Sequence, residues 1–144
     1  MSFRILNPDA LAKPRGWNHG LLADAGGRVL FVAGQTATDA RGEAAGLDFA
    51  AQFERALANV LAVVREAGGR PEDVGRLTIY VTDLEAYRSC RKELGEAYRR
   101  HMGGHYPAMA LVEVAGLVDE GAAVEIEATA VIPPTPSTQE TGRT

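Results

Sequence analysis

Two carboxylates, Glu125 and Glu127, alternate with Val124, Ile126 and Ala128, a spacing that puts both acids on one side of a strand and the apolar set on the other. Acids in that setting can accept protons or make ion pairs across a subunit boundary. His101 and His105 have the i, i+4 spacing that chelates zinc on a helix, but Gly103 and Gly104 break the helix between them and no third ligand is near in sequence. No metal and no cofactor is predicted. Cys90 lies among Arg88, Arg91 and Lys92, cations that favour a thiolate, yet no base partner for a nucleophile is legible. Trp17, with His19 beside it, offers a flat ring in an N-terminal loop, suited to stacking on a ligand or to covering an interface. The chain has neither a glycine-rich phosphate loop nor a Gly-x-Ser-x-Gly elbow.

The elements that must position these groups follow from periodicity. A short edge strand is expected near Phe3–Leu6, then a Pro- and Gly-containing loop, then strands at Leu21–Ala23 and Arg28–Ala33 joined as a hairpin across Asp24-Ala25-Gly26-Gly27. Apolar residues from Phe49 to Val64 recur every three or four positions, so Asp48 caps a helix that Gly68-Gly69 ends. Leu77, Ile79 and Val81 alternate with Thr78, Tyr80 and Thr82 in a half-buried strand over Arg76–Thr82. Asp83 caps a second helix running to about Met102, and its charge run from Arg88 to Arg100 reads as a solvated face. Two strands follow, Ala108–Ala115 and Ala123–Ile132, with Asp119-Glu120-Gly121 turning between them. This order favours an α+β sandwich with both helices on one face of the sheet. On the opposite face the pattern predicts Met109, Leu111, Tyr80 and Val131 together with Glu125 and Glu127, a mixture that calls for partial burial against another subunit.

With 144 residues, one domain over 1–133 suffices, and it can bury roughly 70% of the surface of its unfolded chain. Residues 134–144, rich in Pro, Ser and Thr, have nothing to bury and are expected to be disordered. The 46% apolar and 24% charged content is that of a folded globule, and the net charge of −4 gives no positive field for nucleic acid. No apolar run approaches the length that crosses a bilayer, so no membrane role is expected. One cysteine and no apolar leader make a reducing cytoplasm the expected setting.

Several segments taken together give the chain its resemblance to a known family: Gly34-Gln35 after Val29–Ala33, the Phe53–Gly68 helix, Val81-Thr82-Asp83-Leu84, Pro107-Ala108-Met109-Ala110-Leu111-Val112-Glu113-Val114, and Val124–Ala128. Over residues 3 to 132 the chain resembles the RidA/YjgF family of enamine and imine deaminases. The resemblance implies a chorismate-mutase-like fold, a homotrimer whose sheets form a central barrel, and ligand clefts between subunits. It carries the family's water-positioning glutamate onto Glu125. Where the family signature has Pro-Ala-Arg, this chain has Pro107-Ala108-Met109, so the arginine that pairs with a substrate carboxylate is absent. Ala33 stands where the well-studied subgroup has serine, and Trp17 where it has tyrosine.

The expected activity is hydrolysis of a reactive enamine or imine with altered specificity. Glu125 is the catalytic candidate, and Trp17, Ala33, Gly34, Gln35, Met109 and Leu111 line the substrate. The alternative is a non-catalytic trimer that binds a small apolar metabolite in the same cleft. Endoribonuclease activity, also attached to family members, is disfavoured by the charge and by the lack of a basic aromatic strip.

Overall fold

The computed structural model describes residues 3–39, 41 and 46–135. In chain order the elements are β1 (Phe3–Leu6), β2 (Gly20–Ala23), β3 (Arg28–Gln35), α1 (Phe49–Glu66), a single 3-10 turn at Pro71–Asp73, β4 (Val74–Val81), α2 (Leu84–Ser89), α3 (Arg91–Met102), β5 (Ala108–Glu113) and β6 (Val124–Ile132). Among the described residues, β3, β6, β4 and β5 lie in that order in one mixed sheet, while β1 and β2 form a separate antiparallel pair. β6 is antiparallel to both of its neighbours, and β4 and β5 run parallel, joined through α2 and α3 as a parallel pair requires. The fold is α+β, with a mixed sheet.

Periodicity places α1 well. Asp48 accepts the Ala51 N–H at 2.9 Å, and Gly68 takes a φ of 81°, a left-handed conformation that lets the chain leave the helix. Leu57, Val60, Leu61 and Val64 on its inner face are fully buried against Leu77, Val81, Val124, Ile126 and Ala130 of the sheet. Each leucine so buried stabilises the fold by about 1.5–3 kcal/mol. α1 lies across β6 and β3, and α3 lies beside it on the same side of the sheet.

Three expectations are corrected. β2 and β3 do not form a hairpin, since β2 pairs with β1 in the register Phe3↔Ala23 to Leu6↔Gly20 and β3 pairs with β6. The backbone groups of this four-residue strand are taken up by β1. The second helix is not continuous, because Cys90 adopts φ −124° and ψ 27° between α2 and α3. Its Sγ and the Ser89 hydroxyl both donate to the Ala86 carbonyl, at 3.1 and 3.0 Å, and such local bonding competes with the helical ladder.

The third correction changes the site. Met109 and Leu111 sit opposite Leu77 and Ile79 of β4 and pack against the core, so they face the helices. Ala110 and Val112 take the open face, beside Thr78 and Tyr80. Glu125, Glu127, Thr129 and Val131 lie on the open side as expected, because Val124, Ile126, Ala128, Ala130 and Ile132 are all buried. The open face also carries Phe31, 80% exposed, and Val29. Pro133 to Thr135 are described, and the tail expected to be disordered lies outside the described residues from 136 onward. No helix among the described residues is long and apolar enough to cross a membrane.

Candidate active site

The candidate residues fall into two groups on opposite faces of the sheet. The first lines a half-open cavity of about 600 Å³ between the β5 edge and α3. Met109 and Leu111 project into it from β5, Ile79 from β4 and Leu94 from α3. Trp17 covers it from the N-terminal loop, and that loop is held by Asn18. Asn18 Nδ2 donates to the Tyr106 carbonyl at 2.6 Å, and the Asn18 N–H donates to the Pro107 carbonyl at 3.2 Å. Asn7 closes the loop on itself, donating to Asn18 Oδ1 and accepting from the His19 N–H, both at 2.8 Å. The loop thus docks on the residues leading into β5, and Trp17 leans edge-on against His19 with centroids 4.6 Å apart.

The far wall is aromatic. Tyr98 and Tyr106 stack with centroids 5.2 Å apart, and the Tyr98 hydroxyl donates to the His105 carbonyl at 2.6 Å. Burial pushes the Tyr98 phenol far up, so it stays a neutral donor. Sequence reasoning missed the cations of this cavity. Arg91 and Arg99, assigned to a solvated face, both line it, as does Arg15 of the loop. The signal was present in the spacing Arg91, Gly95, Arg99, which is one stripe of a helix.

The second group gathers at a bulge of β3 on the open face. The register with β6 slips between Val32 and Gln35, which leaves Ala33 and Gly34 outside the regular ladder. Gly34 lies directly against Glu125, and a Cβ there would overlap the carboxylate. Gln35 turns back, its Nε2 donating to the Ala33 carbonyl at 3.1 Å. Beside Glu125 on β4, the Tyr80 hydroxyl donates to Glu127 Oε1 at 2.8 Å, and this bond to a carboxylate raises the Tyr80 pKa. Glu127 is therefore committed to Tyr80, and Glu125 lies against the glycine bulge. Within one chain the sheet separates Glu125 from Met109 and Leu111, which corrects their expected placement on a shared face.

The remaining reactive groups are engaged elsewhere. His101 Nε2 is 3.1 Å from Glu54 Oε1 and His105 Nε2 donates to the Val74 carbonyl at 2.7 Å, so the two imidazoles serve separate structural contacts. His19 Nε2 donates to the Ala12 carbonyl at 2.8 Å. Burial pushes the Cys90 thiol up, and Glu93 and Asp48 add to it, which overturns the expected lowering by neighbouring arginines. Its Sγ points back at the Ala86 carbonyl and not toward the cations.

Residues 9–132 match a family model described as endoribonuclease L-PSP. The 2-iminobutanoate/2-iminopropanoate deaminase of Salmonella typhimurium is 33% identical over 105 residues, which cover 73% of this chain and 80% of that protein. Protein DfrA of Myxococcus xanthus is 35% identical over 133 residues, 91% of this chain and 97% of that one. Among solved structures, YyfB of Yersinia pestis, a Rid-family protein of unknown function, superposes with a TM-score of 0.79 at 33% identity, covering 92% of this chain and 100% of that chain.

Proposed function

Since this chain belongs to the RidA/YjgF family, the endoribonuclease L-PSP family of the matched model, we propose that it hydrolyses a reactive enamine or imine to a carbonyl product and ammonia. The substrate differs from a small 2-imino acid. The observation that carries this specificity is Met109 on the cavity floor, at the position where the family signature has its carboxylate-binding arginine. A thioether fills apolar space and offers no paired N–H donors.

In this reading the chain acts as a homotrimer with a chorismate-mutase-like barrel. Neighbouring subunits cover the open face, which takes Phe31, Val29 and Val112 out of water. The same packing brings Glu125 of one copy to a cleft shared with the next. Glu125 accepts a proton from water as the water oxygen bonds to the carbon of the protonated imine, giving a carbinolamine. Proton return from Glu125 to nitrogen then lets the C–N bond break while the hydroxyl gives its proton back to Glu125, releasing ammonia and leaving the carbonyl. Hydrolysis of imines made in situ by an amino-acid oxidase, followed by semicarbazide competition and ammonia release, tests the chemistry. Light scattering tests the assembly, and a mass near that of one 15.3 kDa chain would refute it.

A second reading is favoured by one feature of the single chain, the separation of Glu125 from the Met109 cavity by the sheet. In it, the protein is a non-catalytic trimer that binds a metabolite. Ligand-induced melting shifts without ammonia release would select it. RNA cleavage, which the family description names, is not adopted, because a chain of net charge −4 lacks the field that draws in phosphate backbones.

A further inference from the structure

We propose that anion recognition in this cavity is carried by helix α3, with Arg91 and Arg99 supplying the positive charge that holds the carboxylate of a ligand whose bulky apolar or aromatic body rests on Met109, Leu111 and Trp17. The inference rests on the reading that the cavity is the ligand site. Arg91, Gly95 and Arg99 stand four residues apart and share one face of α3, and all three line the cavity. Arg99 folds back over Gly95, since a Cβ at residue 95 would lie 3.4 Å from the Arg99 guanidinium. A Cβ there is in ordinary contact with the guanidinium, so only a larger side chain at residue 95 would displace it. Arg91 lies 5.8 Å from the centroid of the Tyr87 ring, a cation–π distance that holds it at the cavity edge.

Charge balance points to an anion. The chain has 19 acids against 15 lysines and arginines, yet among the described residues this cavity is lined by three arginines, Arg15, Arg91 and Arg99, and by no acid. Among the described residues none of the three has an ion-pair partner. Guanidinium groups above an apolar floor select an amphipathic carboxylate. A half-open volume of about 600 Å³ with an apolar floor admits an aromatic 2-imino acid and the 2-oxo acid it yields.

The test uses phenylpyruvate, a stable 2-oxo acid, and phenylacetone, which has the same ring without the carboxylate, titrated calorimetrically into the intact protein. Phenylpyruvate is expected to bind at least about tenfold tighter than phenylacetone, and R91Q/R99Q to lose about tenfold or more of that affinity while phenylacetone binding stays unchanged. Binding of phenylpyruvate should also weaken with added salt. G95L, which fills the space under Arg99, is expected to lower phenylpyruvate affinity in the same way. Equal affinity for the two ligands, or full phenylpyruvate affinity in a folded R91Q/R99Q, overturns the proposal. Arginine-dependent binding of phenylpyruvate, with no acceleration of ammonia release from the imine of phenylalanine, upholds it and refutes the hydrolase reading instead. Ammonia release from an aromatic imine, undiminished in R91Q/R99Q, overturns it and leaves the hydrolase reading standing.

Discussion

Gly34→Ala separates the placement of Glu125 from the stability of the fold. The bulge in β3 brings the Gly34 backbone so close to Glu125 that a Cβ would overlap Oε1 and stand 2.8 Å from Cδ and 3.0 Å from Cγ. Carbon atoms pack at about 3.5–4.0 Å, so Cγ itself must retreat, and the carboxylate at its end swings further. The clash falls on a flexible side chain and not on backbone, so the cost is that of a displaced rotamer, about 0.5–1.5 kcal/mol. For a chain of this size that lowers Tm by roughly 2–6 °C. A mispositioned general base costs about 10²- to 10⁴-fold in turnover, or roughly 3–5 kcal/mol of barrier. The expected outcome is a folded variant, slightly less stable, with turnover close to that of Glu125→Gln. Combining the two changes should add little, because both remove the same acceptor. The assay is ammonia release from an imine generated by an oxidase, with melting curves in parallel. Turnover within about threefold of wild type, alongside the stability loss, would refute the role given to Glu125.

Asn18→Ala removes the side-chain bonds to Tyr106 and Asn7 that dock the Trp17 loop, and should cost about 1–3 kcal/mol while weakening ligand binding, read by denaturant melts and calorimetry. Glu54 is held below its ordinary pKa, first by the Arg100 hydrogen bond. A depressed folded pKa means stability that is present above the unfolded value and lost as pH falls through the folded one. Melting from about pH 6 to about pH 3 should therefore show an acid-side loss that shrinks in Arg100→Gln, and only modestly because the pair is partly exposed. Cys90, its thiol pushed up by burial, should alkylate more slowly at neutral pH than free cysteine, as followed by mass spectrometry.

The residues that announced their structure were those whose two faces differ. The apolar positions of α1 recur at helical spacing and its cap is an aspartate, and in β6 carboxylates alternate strictly with apolar side chains. β5 carried no such contrast, since Ala108, Ala110 and Val112 are apolar and so are Met109 and Leu111. Its face is set by the parallel register with β4, a contact distant in sequence. The break at Cys90 comes from side-chain bonds to the Ala86 carbonyl, which compete with a helix that Arg91 to Met102 otherwise supports. The arginine stripe of α3 looked like solvent-facing charge because its wall partners, Trp17 and Tyr106, lie on other elements.

The central claim is that this chain hydrolyses imines through Glu125 on ligands bound at the arginine-lined cavity. Its most direct test is ammonia release from the imine of phenylalanine, generated in situ by an amino-acid oxidase and measured with wild type and with Glu125→Gln. The account predicts acceleration by wild type over the uncatalysed rate and its loss in a folded Glu125→Gln that still binds phenylpyruvate. No acceleration by wild type, with phenylpyruvate still raising its Tm, would contradict the account and leave a metabolite-binding protein in its place.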